Sequence, residues 1–511
     1  MTTVTSTNPS SGAKRDLAIS ESTDEDVLDA VQRAANAAHD FANRPLSWRA
    51  GLLRAMADEL EADAANLVAL AHEETALPLP RLEGELRRTA FQLRFFADVV
   101  LDGAFLGVSI DHAGDSPMGP LPDLRRMRVP LGPVAVFGSS NFPFAFSVPG
   151  GDTASALAAG CPVLIKAHPA HPATSRAAFD ALARAARVFD APAGLLTLVF
   201  GFEAGVALVE APDVCAVGFT GSVPAGRALW QRANARATPI PFFGELGSAN
   251  PLVVTAAAAK ERGVEIGEGV AGSMTLGVGQ FCTKPGLLFV PADECGDALV
   301  TALVAALERV EPMTMLSAGI AEHFAQGAAA IAGVDGSSRL VGDASSKGTE
   351  VAAQLFEVAA SHFANESSTV LREECFGPLA VVVRYHGREE LSDALSLVEP
   401  ALTFSVLSAD GDGDAGWLLE VAQAKAGRVI VNGYPTGVGV SWSMQHGGPW
   451  PATTAPAATS VGAGSIERWL RPVTYQNVPE ALLPEALRDE NPLHLPQRVD
   501  GVARGSVGGL G

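Results

Sequence analysis

The chain has 511 residues, of which 48% are hydrophobic and 18% are charged, and its formal net charge is −21. This length exceeds the roughly 250–300 residues at which a single hydrophobic core stops growing, so the sequence predicts more than one domain. The acidic excess argues against nucleic acid or an anionic membrane as a partner, because both attract basic surfaces, and it favours small-molecule ligands.

Five cysteines are few and scattered along the chain. Their spacing argues against a disulfide framework and against a zinc site of paired cysteines, so we expect no metal and a reducing cytoplasm. The polar amino-terminal segment has no apolar signal core, and no apolar stretch is long enough to span a bilayer. We expect residues 1 to about 20, and the glycine-rich segment after Asp500, to be frayed ends.

The abundance of Ala, Val, Leu and Gly suits helices packed on buried strands, which is an α/β fold. Between Asp24 and Asp102, apolar residues recur at three- and four-residue steps and predict amphipathic helices. Beyond them, Ala-rich helical stretches separate four short apolar runs typical of buried parallel strands, at 134–137, 162–165, 195–199 and 214–219.

A second series of alternating patterns begins near Pro251 and predicts another α/β unit. Helix patterns cover 261–276 and 294–310, and strand patterns cover 286–291, 379–385, 402–407 and 428–432. From Ile466 the pattern indicates a short helix and then one strand. A single strand needs a pairing partner, which another subunit could supply.

Cys282 is the strongest candidate for a nucleophile. It lies between a glycine-rich loop and an apolar run, a setting that can place a thiol at a helix end where partial positive charge favours the thiolate. An isolated cysteine is more often a small buried side chain, and this interpretation applies to Cys161, Cys215, Cys295 and Cys375.

Glu245 and Asn141 are candidates for a general base and an oxyanion donor. Glu245 lies at a predicted strand end among apolar residues, whose desolvation raises the proton affinity of a carboxylate. Asn141 follows the strand pattern at 134–137, where a side-chain amide can donate to a developing oxyanion. Taken alone, Glu245 also fits a surface loop and Asn141 a tight turn before proline.

Residues 219–226 indicate a strand, a turn and a helix start, so amides at Gly221 and Ser222 could hold a pyrophosphate. The segment lacks the Gly-x-Gly-x-x-Gly dinucleotide fingerprint, and a helix cap at Ser222 is an equal alternative.

Lys166 ends the second strand pattern, where a cation could meet a ribose or phosphate, and His168 beside it could add a polar contact. His168, His171 and His446 lack the spacing of metal ligands, and loop structure is the favoured interpretation for each.

Seven motifs, in order, resemble the aldehyde dehydrogenase family from about residue 25 to residue 477. They are PLGPVA at 130–135, SNFP at 140–143, LIK at 164–166, FTGS at 219–222, ELG at 245–247, GQFC at 279–282 and EECFGP at 373–378. Within the family, the stretches at 279–286 and 444–454 are most similar to the branch that contains 2-oxoglutarate semialdehyde dehydrogenases and related NADP-preferring enzymes.

The resemblance implies an aldehyde dehydrogenase-like α/β fold in three parts. A Rossmann-like cofactor domain would comprise 20–122 and 133–250, and a catalytic α/β domain would comprise 251–460. A small β arm at 123–132 and 465–490 would serve oligomerisation, as a homo-dimer or homo-tetramer.

The resemblance also implies a mechanism that matches the chemistry of the residues. The Cys282 thiolate would attack an aldehyde, Asn141 and a backbone N–H would hold the oxyanion, and hydride would leave to a nicotinamide dinucleotide. Glu245 would then activate water to hydrolyse the thioester to a carboxylic acid.

Further roles follow from the resemblance alone. Lys166 and Glu374 would hold the cofactor ribose, and Phe376 would pack near the nicotinamide ribose. Phe142 and Phe146 are candidate walls of the substrate pocket. Lys284 is close to Cys282 in sequence but stays unassigned, so a cation for a substrate carboxylate is not identified.

The sequence departs from the family pattern in ways that bear on the cofactor. Pro169 stands where many NAD-using relatives have a glutamate for the adenosine ribose, which admits a 2′-phosphate, yet 199–210 contains no Lys or Arg to bind one. The sequence therefore favours NADP weakly and leaves NAD open. Ser248 replaces the second glycine of the family's Glu-Leu-Gly-Gly, which alters local backbone freedom.

Several alternatives stay open at this point. The substrate could be a semialdehyde such as 2-oxoglutarate semialdehyde, or a fatty or general aldehyde. Transfer of the acyl group to coenzyme A is disfavoured by Glu245, and a non-catalytic binding protein is disfavoured by the intact motifs. A cofactor-free cysteine hydrolase would use His446 as the partner of the thiol.

Overall fold

The structure is a computed structural model that describes residues 2–343 and 348–505, without the side chains of Glu366 and Ser367. Its α-helices are α1 (Asp24–Ala42), α2 (Leu46–Ala62), α3 (Ala64–Thr75), α4 (Leu79–Asp102), α5 (Gly151–Ala159), α6 (Pro172–Val188), α7 (Phe202–Glu210), α8 (Val223–Ala235), α9 (Ala256–Thr275), α10 (Glu294–Leu307), α11 (Ala318–Ala332), α12 (Ala360–Phe363), α13 (Gly387–Ser396) and α14 (Ala415–Lys425).

The strands of the first half are β1 (Thr3–Thr7), β2 (Lys14–Ser20), β3 (Val108–Asp111), β4 (Gly114–Ser116), β5 (Gly119–Leu121), β6 (Leu124–Pro130), β7 (Val134–Phe137), β8 (Val163–Lys166), β9 (Leu196–Val199), β10 (Ala216–Thr220) and β11 (Phe242–Glu245). Those of the second half are β12 (Pro251–Val254), β13 (Leu287–Pro291), β14 (Met313–Thr314), β15 (Ser338–Val341), β16 (Glu350–Val351), β17 (Gln354–Ala359), β18 (Leu379–Tyr385), β19 (Ala401–Leu407), β20 (Ala426–Val431), β21 (Leu470–Gln476), β22 (Gln497–Val499) and β23 (Val502–Arg504).

The first sheet contains five parallel strands in the order β11, β10, β7, β8, β9. Its register places Thr220 beside Glu245, and Phe137 between Phe219 and Lys166. Because parallel strands point the same way, their carboxyl ends meet at one edge, where ligands bind in open α/β sheets. This carboxyl edge carries Glu245, Lys166 and the loop after Phe137.

The second sheet contains seven strands in the order β15, β17, β18, β13, β12, β19, β20, and only β15 runs antiparallel to its neighbour. Leu252 and Val253 of β12 belong to different buried clusters, because successive side chains of a strand point to opposite faces. Helices therefore cover both faces of this sheet, as expected for parallel strands.

The fold class is α/β, as the sequence predicts, and the ten predicted strand and helix patterns between residues 134 and 432 all have counterparts in the structure. The two main sheets lie on either side of residue 250 in the chain. The boundaries of the three predicted domains stay predictions.

The strand predicted after Ile466 is present as β21, preceded by a 3₁₀ helix at Ala463–Trp469. It pairs antiparallel with β6 of the same chain, from Leu470 opposite Pro130 to Gln476 opposite Leu124. The strand therefore has a partner within its own chain on one side, and on its other side it is the edge of the sheet. Use of this sheet in an oligomer stays a prediction.

The expectation of frayed ends is wrong for the described residues. Strands β1 and β2 form a hairpin, and the buried Ser6 hydroxyl donates to Glu74 over 2.7 Å. At the other end, β22 and β23 pair with each other, and β22 also pairs with β3. These pairings join residues far apart in the chain, which local sequence patterns do not reveal. Residues 506–511 lie outside the described part.

Among the described residues, no helix is both long enough and apolar enough to cross a lipid bilayer.

Candidate active site

The candidate site lies where the carboxyl edge of the first sheet meets two loops of the second half of the chain. Glu245 is the last residue of β11, and Asn141 lies in the loop after β7. The Asn141 side-chain amide donates to the carbonyl of Gln280 over 2.9 Å, which ties this edge to the loop that carries Cys282. Asn250 holds the other side of that loop, because its amide donates to the Cys282 carbonyl over 2.7 Å.

An unusual turn precedes Cys282. Gly277, Val278 and Gly279 all have positive φ angles, of 57°, 63° and 63°. A β-branched residue rarely adopts this conformation, so Val278 marks a strained backbone held by its surroundings. A side chain at Gly279 would place its Cβ 2.4 Å from the carbonyl of Gly377, so only glycine fits there. The turn directs Cys282 back toward the junction of the sheets.

The helix-end argument for a reactive thiolate is wrong in this structure. Cys282 follows the carboxyl-terminal end of α9 and the 3₁₀ turn at Leu276–Gly279, where the partial charge of a helix is negative. Burial raises the pKa of Cys282 well above its usual value, and the charges of Glu245 and Glu374 raise it further. The resting thiol is therefore protonated at neutral pH.

Two side chains, His446 and Glu245, converge on the Cys282 thiol. The Sγ of Cys282 lies 3.6 Å from Nε2 of His446, and that nitrogen lies 3.0 Å from Oε1 of Glu245. His446 and Glu245 are buried, with 1% and 4% of their surface exposed. The approach of Nε2 to Oε1 is a close contact rather than a hydrogen bond, but Nε2 is the ring nitrogen that faces both groups, and a hydrogen carried there can be donated to either. We call Cys282, His446, Glu245 and Ser460 the catalytic cluster.

Glu245 is held by the segment around residues 446–460. It forms an isolated bridge with Thr453, and its Oε2 accepts a short hydrogen bond from the Ser460 hydroxyl. Burial would raise the pKa of Glu245, but His446, Ser460 and Cys282 outweigh burial and lower it. The sequence-based expectation of a raised proton affinity is therefore wrong, and the carboxylate is ionised at neutral pH.

The cluster also has donor atoms that could hold a metal ion. One ligand atom each from Glu245, Cys282 and His446 lie within 4.8 Å of one another. These residues are far apart in sequence, so the absence of metal-type spacing carried no information about this arrangement. The sequence favoured a purely structural role in a loop for His446. The structure places its ring beside Cys282 and Glu245, a position that the sequence did not indicate.

Asn141 is buried beside the cluster, and its backbone carbonyl accepts a hydrogen bond from Arg81 over 2.8 Å. One of the two amide hydrogens of Asn141 is directed to the Gln280 carbonyl. The second can be offered to an oxyanion, so the predicted role fits this geometry and stays a prediction.

Three phenylalanine rings pack together near the catalytic cluster. Phe142 lies 5.2 Å from Phe146 and 5.1 Å from Phe281 between ring centroids. The ring of Phe146 is in turn 6.4 Å from that of His446. The two predicted wall residues therefore stand together, and Phe281, which the sequence reasoning missed, joins them.

Lys166 ends β8 at the carboxyl edge, half-buried. Burial lowers the pKa of Lys166 to about 8, although the nearby charge of Glu21 raises it. His168 folds onto its own loop: its ring stacks on His171 at 5.6 Å, and its Nδ1 accepts from the amide of Ala170. The structure thus places both predicted cofactor residues beside the edge, with only Lys166 at a strand end.

The turn at Gly221 and Ser222 also lies at this edge. The Gly221 amide already donates to the Glu245 carbonyl over 3.0 Å, so it does not point to an open phosphate site. The Ser222 hydroxyl caps α8 by accepting from the amide of Ala225, which is the alternative that the sequence allowed. A pyrophosphate role for this turn stays a prediction.

Glu374 and Phe376 lie in the loop before β18, both partly buried. Burial raises the pKa of Glu374 to about 7, while Lys284 and the backbone amide of Ser248 lower it. Lys284 is buried, and its ammonium donates to the carbonyls of Leu379 and Cys375 over 2.6 and 3.2 Å. Lys284 therefore stabilises the loop before β18, which carries Glu374 and Phe376.

Comparison with known proteins agrees with this picture. The model of the aldehyde dehydrogenase family matches residues 2–449. "Alpha-ketoglutaric semialdehyde dehydrogenase 2" of Azospirillum brasilense is 47% identical over 94% of this chain and 92% of its own length. "Alpha-ketoglutaric semialdehyde dehydrogenase" of Acinetobacter baylyi is 41% identical over 93% of this chain and 92% of its own.

Among solved structures, aldehyde dehydrogenase 21 of Physcomitrella patens has the same fold, with a TM-score of 0.79 and 20% identity over 94% of this chain and 96% of its own. The family resemblance drawn from the seven motifs is confirmed. This protein belongs to the aldehyde dehydrogenase family, whose members are oxidoreductases that act on aldehydes with a nicotinamide dinucleotide.

Proposed function

We propose that this aldehyde dehydrogenase oxidises a semialdehyde that carries a carboxylate, of the 2-oxoglutarate semialdehyde type, to the dicarboxylic acid. The observation that carries the chemistry is the catalytic cluster, in which a thiol, an imidazole and a carboxylate meet within 4.8 Å. The names of the two relatives above 40% identity support the substrate class.

In the first half-reaction, Glu245 accepts the proton of the Cys282 thiol, and His446 donates its Nε2–H toward the sulfur. Nε2 lies 3.6 Å from the Cys282 sulfur and 3.0 Å from Oε1 of Glu245, so a small rotation of the imidazole ring would direct its N–H to either group. The thiolate forms a bond with the aldehyde carbon, and the amide of Asn141 holds the oxygen that becomes negative.

A nicotinamide dinucleotide, when bound, would supply the acceptor for the hydride that leaves the aldehyde carbon, and the loss of that hydride converts the Cys282 adduct to a thioester. The residues at the carboxyl edge fit such a group, because Lys166 presents a partly desolvated ammonium where parallel strands end. Lys166, His168 and Ser222 would hold it on one side, and Glu374 and Phe376 on the other. Pro169 carries no carboxylate that would repel a 2′-phosphate, so the proposal favours NADP weakly and leaves NAD open.

In the second half-reaction, Glu245 has returned its first proton to solvent and accepts a proton from water. The water oxygen bonds to the thioester carbon, the carbon–sulfur bond breaks, and the proton passes to the sulfur. Because Glu245 is ionised, buried and adjacent to Cys282, hydrolysis is favoured over transfer to coenzyme A.

The contact between Cys282 and His446 also favours a second candidate, the cofactor-independent hydrolysis of activated esters. This reaction needs only the thiol, its imidazole neighbour and the base. Release of nitrophenol from p-nitrophenyl acetate without dinucleotide would measure it, and loss of that activity in Cys282→Ala would assign it to this site.

Initial rates with a panel of aldehydes test the main proposal. We expect 2-oxoglutarate semialdehyde to give the highest kcat/KM, succinic semialdehyde a lower one, and a long-chain fatty aldehyde the lowest, each measured with NAD and with NADP. A preference for the fatty aldehyde would overturn the proposed substrate class.

A further inference from the structure

Helix α4 places two arginines beside the aromatic walls of the site. The guanidinium of Arg81 lies 4.9 Å from the ring of Phe142, and that of Arg88 lies 5.3 Å from the ring of Phe146. Both arginines belong to the face of α4 that packs against the loop after β7. On the same face, the Glu85 carboxylate accepts hydrogen bonds from the backbone amides of Phe144 and Ala145. Two cations thus lie against the aromatic residues that are predicted to line the substrate pocket.

The hydrogen bonds of the two arginines differ. Arg81 has an anion beside it, because Nη1 lies 3.7 Å from the Glu85 carboxylate, and its Nη2 donates to the Asn141 carbonyl, although Nη1 and Nε make no hydrogen bond among the described residues. Arg88 makes one long hydrogen bond, from Nη2 to the carbonyl of Val438 over 3.3 Å. Its Nη1 is buried and has no hydrogen-bond partner, and Arg88 forms no ion pair, among the residues that the structure describes.

A largely buried guanidinium with no ion pair and one nitrogen without a hydrogen-bond partner is energetically costly, so this nitrogen points to a ligand that supplies an anionic acceptor. Burial lowers the pKa of Arg88, and the charges of Glu85, Cys282 and Glu245 raise it.

A chain of contacts leads from Arg88 to the thiol. Its guanidinium packs on Phe146, the ring of Phe146 lies 6.4 Å from that of His446, and His446 lies 3.6 Å from the Cys282 sulfur. A substrate whose aldehyde carbon is at the sulfur would therefore extend along Phe146 toward Arg88.

We propose that Arg88 binds the carboxylate of the substrate through Nη1 and so selects aldehydes that end in a carboxylate. This inference rests on the proposed function and names the cation that the sequence did not identify. Arg428 is a weaker candidate, because both of its terminal nitrogens already donate to backbone carbonyls, of Gly437 and Pro435.

The test compares 5-oxopentanoate with pentanal, two aldehydes of equal length that differ in the terminal carboxylate. In Arg88→Met, we expect kcat/KM for 5-oxopentanoate to fall about 10- to 100-fold, mainly through KM, because a charge-assisted hydrogen bond is lost. The value for pentanal should change little, and Arg88→Lys should restore part of the selectivity. Arg87→Met is the matched control, because Arg87 is the exposed neighbour on the same helix.

A second measurement does not need turnover. Alkylation of Cys282 by iodoacetate, relative to iodoacetamide, should slow in Arg88→Met because the cation no longer attracts the anionic reagent. An unchanged ratio of kcat/KM values and an unchanged alkylation ratio would overturn the role of Arg88. Failure of the proposed function would be seen in the wild-type protein, which would then oxidise neither 5-oxopentanoate nor another aldehyde that carries a carboxylate.

Discussion

The catalytic cluster and the cofactor side of the carboxyl edge are built in different ways. Cys282, His446 and Glu245 are packed together, and their positions are fixed by contacts across more than one hundred and sixty residues of chain. Lys166 and Ser222, by contrast, are placed by the ends of parallel strands and by a helix cap, which are local features.

This difference separates two kinds of contribution. The cluster adjusts the proton affinity of a thiol and a base, so small changes in charge or hydrogen bonding should alter the rate strongly. The residues proposed to hold the dinucleotide are spread over several loops and strand ends, so the loss of one of them should alter affinity modestly. Substitutions on the two sides should therefore differ in the size of their effects.

The largest effect is expected from Cys282→Ala. Without the nucleophile, aldehyde-dependent reduction of the dinucleotide should fall at least about 10⁴-fold, as in enzymes that lose the residue that forms the covalent intermediate. Cys295→Ala, which alters a cysteine away from the cluster, should retain wild-type rates. Substantial turnover in Cys282→Ala would move the chemistry to another residue.

The next effect is expected from Glu245→Gln. Loss of the base should lower the steady-state rate about 10²- to 10⁴-fold. Removal of the negative charge also relieves one cause of the raised pKa of Cys282, so the first turnover should still occur at mildly alkaline pH. Rapid mixing should show up to one equivalent of reduced dinucleotide and then a stall. Steady turnover at the wild-type rate would contradict the role of Glu245.

A smaller effect, with a characteristic pH dependence, is expected from His446→Phe. Because the pKa of Cys282 is raised, the thiolate fraction and kcat/KM should increase with pH, about tenfold per unit below that pKa. Loss of the Nε2–H removes a hydrogen bond to the thiolate and should lower kcat/KM about 10- to 100-fold at neutral pH, with a shift of the profile to higher pH.

His446→Gln supplies the control for this prediction, because its amide can still donate to the sulfur. We expect it to recover part of the rate at neutral pH. Equal pH profiles for the wild type and His446→Phe would show that the histidine only fills space beside the thiol.

The same contrast explains what could be predicted from the sequence. The parallel strands, Lys166 and the cap at Ser222 leave local patterns, so they could be identified before the structure. Glu245 and Cys282 lie in recognisable motifs, but their pKa values depend on neighbours that no local pattern reveals. His446 and Ser460 reach the cluster from a segment without regular secondary structure, and no periodicity marks them.

Arg88 was missed for a different reason. Arginines on an amphipathic helix usually face solvent, and nothing in the spacing along α4 separates Arg88 from the exposed Arg87. Only the packing of α4 against the loop after β7 shows which of the two is turned toward the site. The frayed-end prediction failed similarly, since Glu74 anchors the amino-terminal hairpin from a distant helix.

The smallest effect concerns the cofactor side, where Glu21 packs its side chain against Gly201 at the start of α7 and its charge acts on Lys166. A carboxylate there should repel the 2′-phosphate of NADP while leaving NAD less affected. We expect Glu21→Gln to lower KM for NADP a few-fold, the size typical of one exposed charge interaction, with kcat unchanged. Salt should reduce the difference between the two proteins, because screening weakens the interaction of exposed charges. If KM for NAD and NADP shifted equally, Glu21 would act through the structure of the carboxyl edge of the first sheet rather than on the 2′-phosphate of NADP.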